Sequence, residues 1–100
     1  MSSLSAIALS GMQAAQAHVD ASASNIANAQ TPGYRRQAVV QEAQAEGGVA
    51  ASVRREGEPS APALETDLVA QLQAKNAFLA NLAVFKTHNQ MAGALLDKEA

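Results

Sequence analysis

The segment Ser24-Asn25-Ile26-Ala27-Asn28-Ala29-Gln30-Thr31-Pro32-Gly33-Tyr34-Arg35-Arg36 constrains this chain more tightly than any other stretch. It follows a long alanine-rich run with helical periodicity and contains everything needed to stop that helix and turn the chain. Asparagine is the non-glycine residue that best tolerates the left-handed conformation on which helices often end, so Asn25 and Asn28 suit a helix end. Thr31 precedes proline and is pushed toward extended geometry. Pro32 and Gly33 suit the two central positions of a type II turn, the second of which requires positive φ. Tyr34 then opens an extended run.

Upstream, residues 3–28 read as one helix. Leu4, Ala8, Met12, Ala15, Val19, Ala23 and Ile26 recur at intervals of three or four and mark one apolar face, with Ser2 or Ser3 available as cap. The face is mostly alanine, with Gly11 beside it, so another helix can come close while little area is buried per residue. Downstream, Val39-Val40 and Val49–Val53 flank Gly47-Gly48, the pattern of a β-hairpin with a glycine turn. A tight two-residue turn would set Val53 against Glu42. A looser loop over 44–48 sets it against Val39, the better match, although the Gln/Ala/Glu content of 41–46 is equally compatible with helix or irregular chain.

Glu56-Gly57-Glu58-Pro59-Ser60-Ala61-Pro62 reads as a linker, and a second helix follows over 63–98. Glu65 and Asp67 in its first turns, and Lys98 near its end, suit the helix dipole. Leu64, Leu68, Leu72, Leu79, Leu82, Phe85, Ala92 and Leu96 give it a leucine-rich face. Within this, Phe78, Leu82, Phe85, Asn89, Ala92 and Leu96 keep coiled-coil spacing. The expected fold is therefore mainly α: two long antiparallel amphipathic helices, coiled-coil-like, joined by a short β-hairpin. The chain divides into 1–33 (helix and turn), 34–62 (hairpin and linker) and 63–100 (second helix) within one structural domain.

Two helices and a hairpin do not enclose a core. Of the 100 residues 48% are apolar, but only three are aromatic and alanine supplies much of the remainder. The second helix has a wider apolar face than the first can cover, so neighbouring molecules are expected to complete the packing. The net charge of −2 argues against nucleic acid as a partner. No apolar run reaches the ~18–20 residues that span a bilayer. The apolar stripes also lack the basic flank of a membrane-surface helix. With no cysteine, disulfides and thiolate chemistry are excluded. His18 and His88 have no second ligand at metal spacing, Met12 and Met91 are packing residues, and no phosphate- or nucleotide-binding motif is present. No catalytic residue, cofactor, metal or small-molecule substrate is expected.

Together these residues resemble the bacterial flagellar axial proteins of the rod and hook, most of all the short proximal rod proteins. Ala8-Leu9-Ser10-Gly11-Met12-Gln13-Ala14 is similar to the family's small-Gly-apolar-x-Ala segment. Asn25, Ile26, Ala27, Asn28, Thr31, Pro32, Gly33, Tyr34 and Arg35 stand in its Asn-x-Ala-Asn-x-x-Thr-Pro-Gly-aromatic-basic motif. Asp67-Leu68-Val69, Phe78, Ala80-Asn81, Val84 and Lys86-Thr87 resemble its closing helix. Two features depart from the pattern: a short linker replaces the longer middle region, and Asn76 stands where the family usually has arginine.

The resemblance implies a structural subunit of the basal-body rod in the periplasm. Its partners would be itself, other rod and hook proteins and the flagellar type III export apparatus, with no cleaved signal peptide. Its terminal helices would be disordered before assembly and pack as coiled coils afterwards. A soluble rod-like adaptor or regulator of flagellar assembly is the alternative, favoured by the reduced middle. The helix-packing residues under either reading are Leu4, Ala8, Met12, Ala15, Val19, Ile26, Leu68, Leu72, Phe78, Leu82, Phe85 and Leu96. Asn25 and Asn28 are expected to close the helix and bond nearby backbone, and Tyr34, Arg35 and Arg36 to meet acidic groups or a neighbour. Otherwise the arginines are a solvated basic pair at the start of the hairpin, and Arg54-Arg55 is a second, solvent-facing pair.

Overall fold

A computed structural model describes residues 3–58 and 63–99, with side chains over 4–58 and 63–96. Ser2 as a cap, the Pro59–Pro62 part of the linker and the Lys98 side chain lie outside these limits. The order is α1 (Ser3–Ala27), β1 (Gln37–Ala43), β2 (Val49–Arg55) and α2 (Leu64–Glu99). Both helices begin and end within a residue of the limits that periodicity and turn residues dictate. The chain is mainly helical, with the two long helices packed on each other, and measures 62 × 25 × 14 Å.

β1 and β2 form a two-stranded antiparallel sheet in which Val39 faces Val53 and Ala43 faces Val49. The looser loop is thus the one adopted. Gln44 N–H donates to Gly48 O and Gly47 N–H to Gln44 O, both at 3.0 Å. Gly47 and Gly48 carry the positive φ values of 99° and 85° that this connection needs.

α1 is the middle layer, with the hairpin against one side and α2 against another. This double coverage explains why its buried set is wider than one stripe. Ala8, Met12 and Ala15 are buried as the periodicity indicates, but so are Ala14, Ala21 and Ser22. Val19 and Ile26 are half-buried, whereas Leu4 and Ala23 are exposed. The buried apolar set is nearly all alanine, and no large side chain among the described residues is fully buried.

On α2 the face turned to α1 is set by Asp67, Gln71, Ala74, Phe78, Asn81, Phe85 and His88, all buried or half-buried. Their spacing of four and three is that of a heptad seam. It coincides with the anticipated row at Phe78 and Phe85, and then runs on through His88, leaving Asn89, Ala92 and Leu96 exposed. Leu82 is half-buried beside the seam. Leu64, Leu68, Leu72 and Leu79 form a second row that α1 does not cover.

Candidate functional site

The family-like turn is closed by side chains rather than by a left-handed asparagine. Among the described residues no non-glycine residue has positive φ, so neither Asn25 nor Asn28 uses the left-handed conformation, and both bond nearby backbone as expected. The chain instead uses two successive tight turns. Thr31 N–H donates to Asn28 O at 2.9 Å, and Tyr34 N–H to Thr31 O at 3.3 Å. Pro32 and Gly33 occupy the centre of the second turn, with Gly33 at φ 74° as a type II turn demands. Asn28 acts as a local cap. Its Nδ2 donates to Ser24 O at 2.9 Å, and its Oδ1 accepts from Thr31 Oγ1 at 3.2 Å.

Asn25 has a longer reach. Only 4% exposed, it holds both backbone groups of Gln37, donating from Nδ2 to Gln37 O at 3.0 Å and accepting from Gln37 N–H at 2.8 Å. Its amide thereby imitates a neighbouring strand at the first residue of β1. The Tyr34 hydroxyl lies 3.2 Å from Asn25 Oδ1 and 2.9 Å from Ser24 Oγ, tying the far side of the turn to the same helix end. Satisfying every polar atom at this depth is what makes burial of the cluster tolerable.

The other end of the hairpin is held by Ser10. Its hydroxyl accepts from Val49 N–H at 3.1 Å and donates to Ile7 O at 2.7 Å. Ser10 and Asn25 are fifteen residues apart, a helical rise of roughly 22 Å. The six steps from Val49 to Arg55 span about 20 Å of antiparallel strand. Helix and hairpin are therefore matched in length and fastened at both ends. The fit at the tip is close: a Cβ on Gly47 would lie 2.9 Å from Ile7 Cδ1, and one on Gly48 2.6 Å from Ser10 Oγ.

Beyond the helix seam, α2 meets this unit at the family-like residues. Arg36 Nη1 and Nη2 clasp both oxygens of Asp67, the first at 3.0 Å, and Asp67 is only 3% exposed. The hydrogen bond to Asp67 raises the Arg36 pKa above its already high ordinary value, and burial opposes it. The guanidinium stays charged at any pH at which the protein exists. Asp67 also occupies the first turn of α2, as the dipole argument requires, but its main partner is this arginine. Farther along, Gly11 meets Asn81: a Cβ there would lie 2.6–2.8 Å from three Asn81 side-chain atoms. The two family-like segments, remote in sequence, are thus neighbours in space.

Arg54 and Arg55 are exposed, as a solvent-facing pair implies, and Arg35 and Arg55 also make contacts of their own. Arg35 is exposed but its Nε donates to Glu56 O. Arg55 donates to Arg35 O at 2.9 Å, and its guanidinium carbon lies 5.4 Å from the Tyr34 ring centre, a cation–π contact. Arg36 meets an acidic group, as anticipated for it, and Ser10, noted only as part of the family-like segment, holds the hairpin tip. Their partners lie 31 and 39 positions away, beyond any local pattern.

Beside the helix seam lies an open apolar groove of about 580 Å³, walled by Gln16 and Val19 on α1 and by Leu68, Leu72, Lys75 and Leu79 on α2. Leu68 and Leu72 are exposed in one copy, and so is Leu96, farther along α2 with Met91 and Leu95. No group of three His, Cys, Asp or Glu side chains that could hold a metal occurs among the described residues. No described helix is long and apolar enough to cross a membrane.

Compared with models of known protein families, residues 6–35 match the one described as flagella basal body rod protein, a structural flagellar component. The matched segment contains Ser10, Gly11, Asn25, Asn28 and Tyr34, and so takes in both fastenings of the hairpin to α1. The match supports the flagellar rod family for this chain. A search of curated proteins finds no significant match.

Proposed function

We propose that this chain, whose residues 6–35 carry the flagellar rod signature, is a structural subunit of the basal-body rod that assembles by packing its helices against neighbouring subunits. The observation that carries the reading is the unpartnered row Leu64, Leu68, Leu72 and Leu79, together with Met91, Leu95 and Leu96, in a molecule with an alanine core. Burying a leucine is worth ~1.5–3 kcal/mol, so this row holds more stabilisation than the lone copy realises. The turn and hairpin give the subunit a fixed shape, and the open helix faces give it adhesive surface.

Its partners are copies of itself and other rod and hook proteins, and its location is the periplasmic rod. It reaches that place through the flagellar type III apparatus without a cleaved signal. Helices whose apolar faces lack a partner inside one subunit suit a chain exported unfolded and ordered on assembly. The residues of the Asn25–Arg35 motif serve to set the angle at which the hairpin leaves α1.

Fractionation tests the proposal. The protein is expected in purified hook–basal bodies, and its deletion is expected to stop rod completion and motility. A fully motile deletion strain, with the protein absent from basal bodies, would favour the soluble adaptor instead.

A further inference from the structure

α2 turns one row of side chains to α1 and a more apolar row to water, although the two rows are a single residue apart. The inward row Asp67, Gln71, Ala74, Phe78 and Asn81 has two apolar side chains in five. The next row round the helix, Leu68, Leu72, Lys75, Leu79 and Leu82, has four leucines in five. Yet Asp67 and Ala74 are 3% and 6% exposed, while Leu68, Leu72 and Leu79 are 47%, 62% and 49% exposed. The leucines flank the open groove, whose opposite wall is Gln16 and Val19 of α1. Rolling α2 by one residue, about 100°, would carry them into that groove and close it. Apolar burial favours this roll, but the helix does not take it.

Asn81 and Asp67, fourteen positions and roughly 21 Å apart on α2, hold the helix in unlike ways. Asn81 lies over Gly11, where a Cβ would come within 2.6 Å of it. That contact sets how closely and at what level the helices meet, but not the roll. Leucine branches at the same atom as asparagine, so Leu82 can take the place of Asn81 there. Asp67 has no such substitute. Arg36 clasps both of its oxygens, and a two-pronged pair admits one orientation. A roll would bring Leu68 to the guanidinium and carry Asp67 away, leaving a largely buried charge unpaired. Lys75 adds a second barrier, because it would replace the buried Ala74.

We propose that Arg36 and Asp67 are positioning residues that set the roll of α2, holding its leucine row out of the groove. The use of that row by a neighbouring molecule rests on the assembly reading; the control of roll is a property of the single copy. The clasp keeps the chain from covering its own apolar face, so the face stays open.

Single-cysteine labelling tests it, since the chain has no cysteine of its own. Leu72→Cys reports the outer row and Ala74→Cys the inner one. Each is read with a water-soluble maleimide on dilute protein, in a stabilising osmolyte that orders the helices. With the clasp present, Leu72→Cys is expected to react fast and Ala74→Cys slowly. Lys75→Leu alone is expected to keep that order. Arg36→Met with Asp67→Leu removes the clasp without stranding a charge, and the non-directional apolar contact left behind does not fix the roll. In that background, and more fully with Lys75→Leu added, the order is expected to invert. With roughly nine copies in ten rolled, Leu72→Cys slows about tenfold, and Ala74→Cys quickens. An unchanged order in both clasp-free backgrounds, or fast labelling of both cysteines there, overturns the proposal. Inversion with Lys75→Leu alone also overturns it, by assigning the roll to Lys75. Because the labelling reads single copies, inversion upholds the control of roll even where the protein is absent from basal bodies, and the rod reading alone then fails. No inversion, with the protein present in basal bodies, removes the role of the clasp and leaves that reading standing.

Discussion

Arg36 and Asp67 form a two-pronged ion pair that ties the chain just ahead of the hairpin to the first turn of α2, across 31 positions of sequence. Both side chains are largely withdrawn from water. Removing one partner strands the other's charge, which typically costs ~3–5 kcal/mol, whereas replacing both by apolar residues of similar volume is often near neutral. Arg36→Ala is therefore expected to release α2 from the α1–hairpin unit, and Arg36→Met with Asp67→Leu to restore much of the loss. Urea titration by circular dichroism in a stabilising osmolyte reads both. Equal damage from the single and double variants would contradict the assignment.

Asn25→Ala is predicted to destabilise more than Asn28→Ala. The first leaves Gln37 N–H and C=O, both part-buried, without partners, at ~1–3 kcal/mol each, while the second removes one of two bonds to Ser24 O, which keeps that from Asn28 N–H. Asn25→Asp keeps the acceptor for Gln37 N–H but sets a buried carboxylate oxygen against Gln37 O, so it is expected to destabilise at least as much as Asn25→Ala. In a stabilising osmolyte that orders the helices, the Gln37 amide is expected to exchange faster in Asn25→Ala than in Asn28→Ala or the wild type.

Gly11→Ala sets two effects against each other. Alanine gains ~1 kcal/mol of helix propensity over glycine, but its Cβ runs into Asn81, which must swing away and give up its bond to Ala77 O. The substitution is expected to destabilise in the wild-type background and to stabilise once Asn81 is also alanine. In a stabilising osmolyte that orders the helices, a double-mutant cycle gives the sign directly, and additive effects would mean that the helices do not approach as closely as described.

Leu68→Ser with Leu72→Ser is expected to leave secondary structure unchanged in concentrated solution conditions that preserve the fold, since both side chains are already exposed. The same pair of changes is expected to abolish incorporation into basal bodies. Basal bodies purified from a strain carrying the variant, probed for the protein, decide the matter. Normal incorporation would remove the leucine row from the assembly surface.

The elements were legible in the sequence because their boundaries are written in local chemistry. Thr31-Pro32-Gly33 turns as its dihedral preferences dictate, and Val39 meets Val53 because the Gly47-Gly48 loop allows that register. The seam used by α2 was less legible. Hydropathy favours the leucine row, but α1 offers an alanine and glycine surface that fits close to Ala74 and Asn81 instead. Leucines then remain outside for another molecule. The fastenings were the least legible part. Asn25 was placed at the helix end, yet nothing in its neighbourhood reveals that its amide holds Gln37, and no periodicity joins Ser10 to Val49.

Hydrogen exchange on dilute monomer, compared with the assembled protein, bears most directly on whether one copy can order its helices alone. Little protection is predicted in residues 1–28 and 64–100 of the monomer, rising by orders of magnitude on assembly. Strong protection of both segments in a dilute, solitary copy would contradict the account.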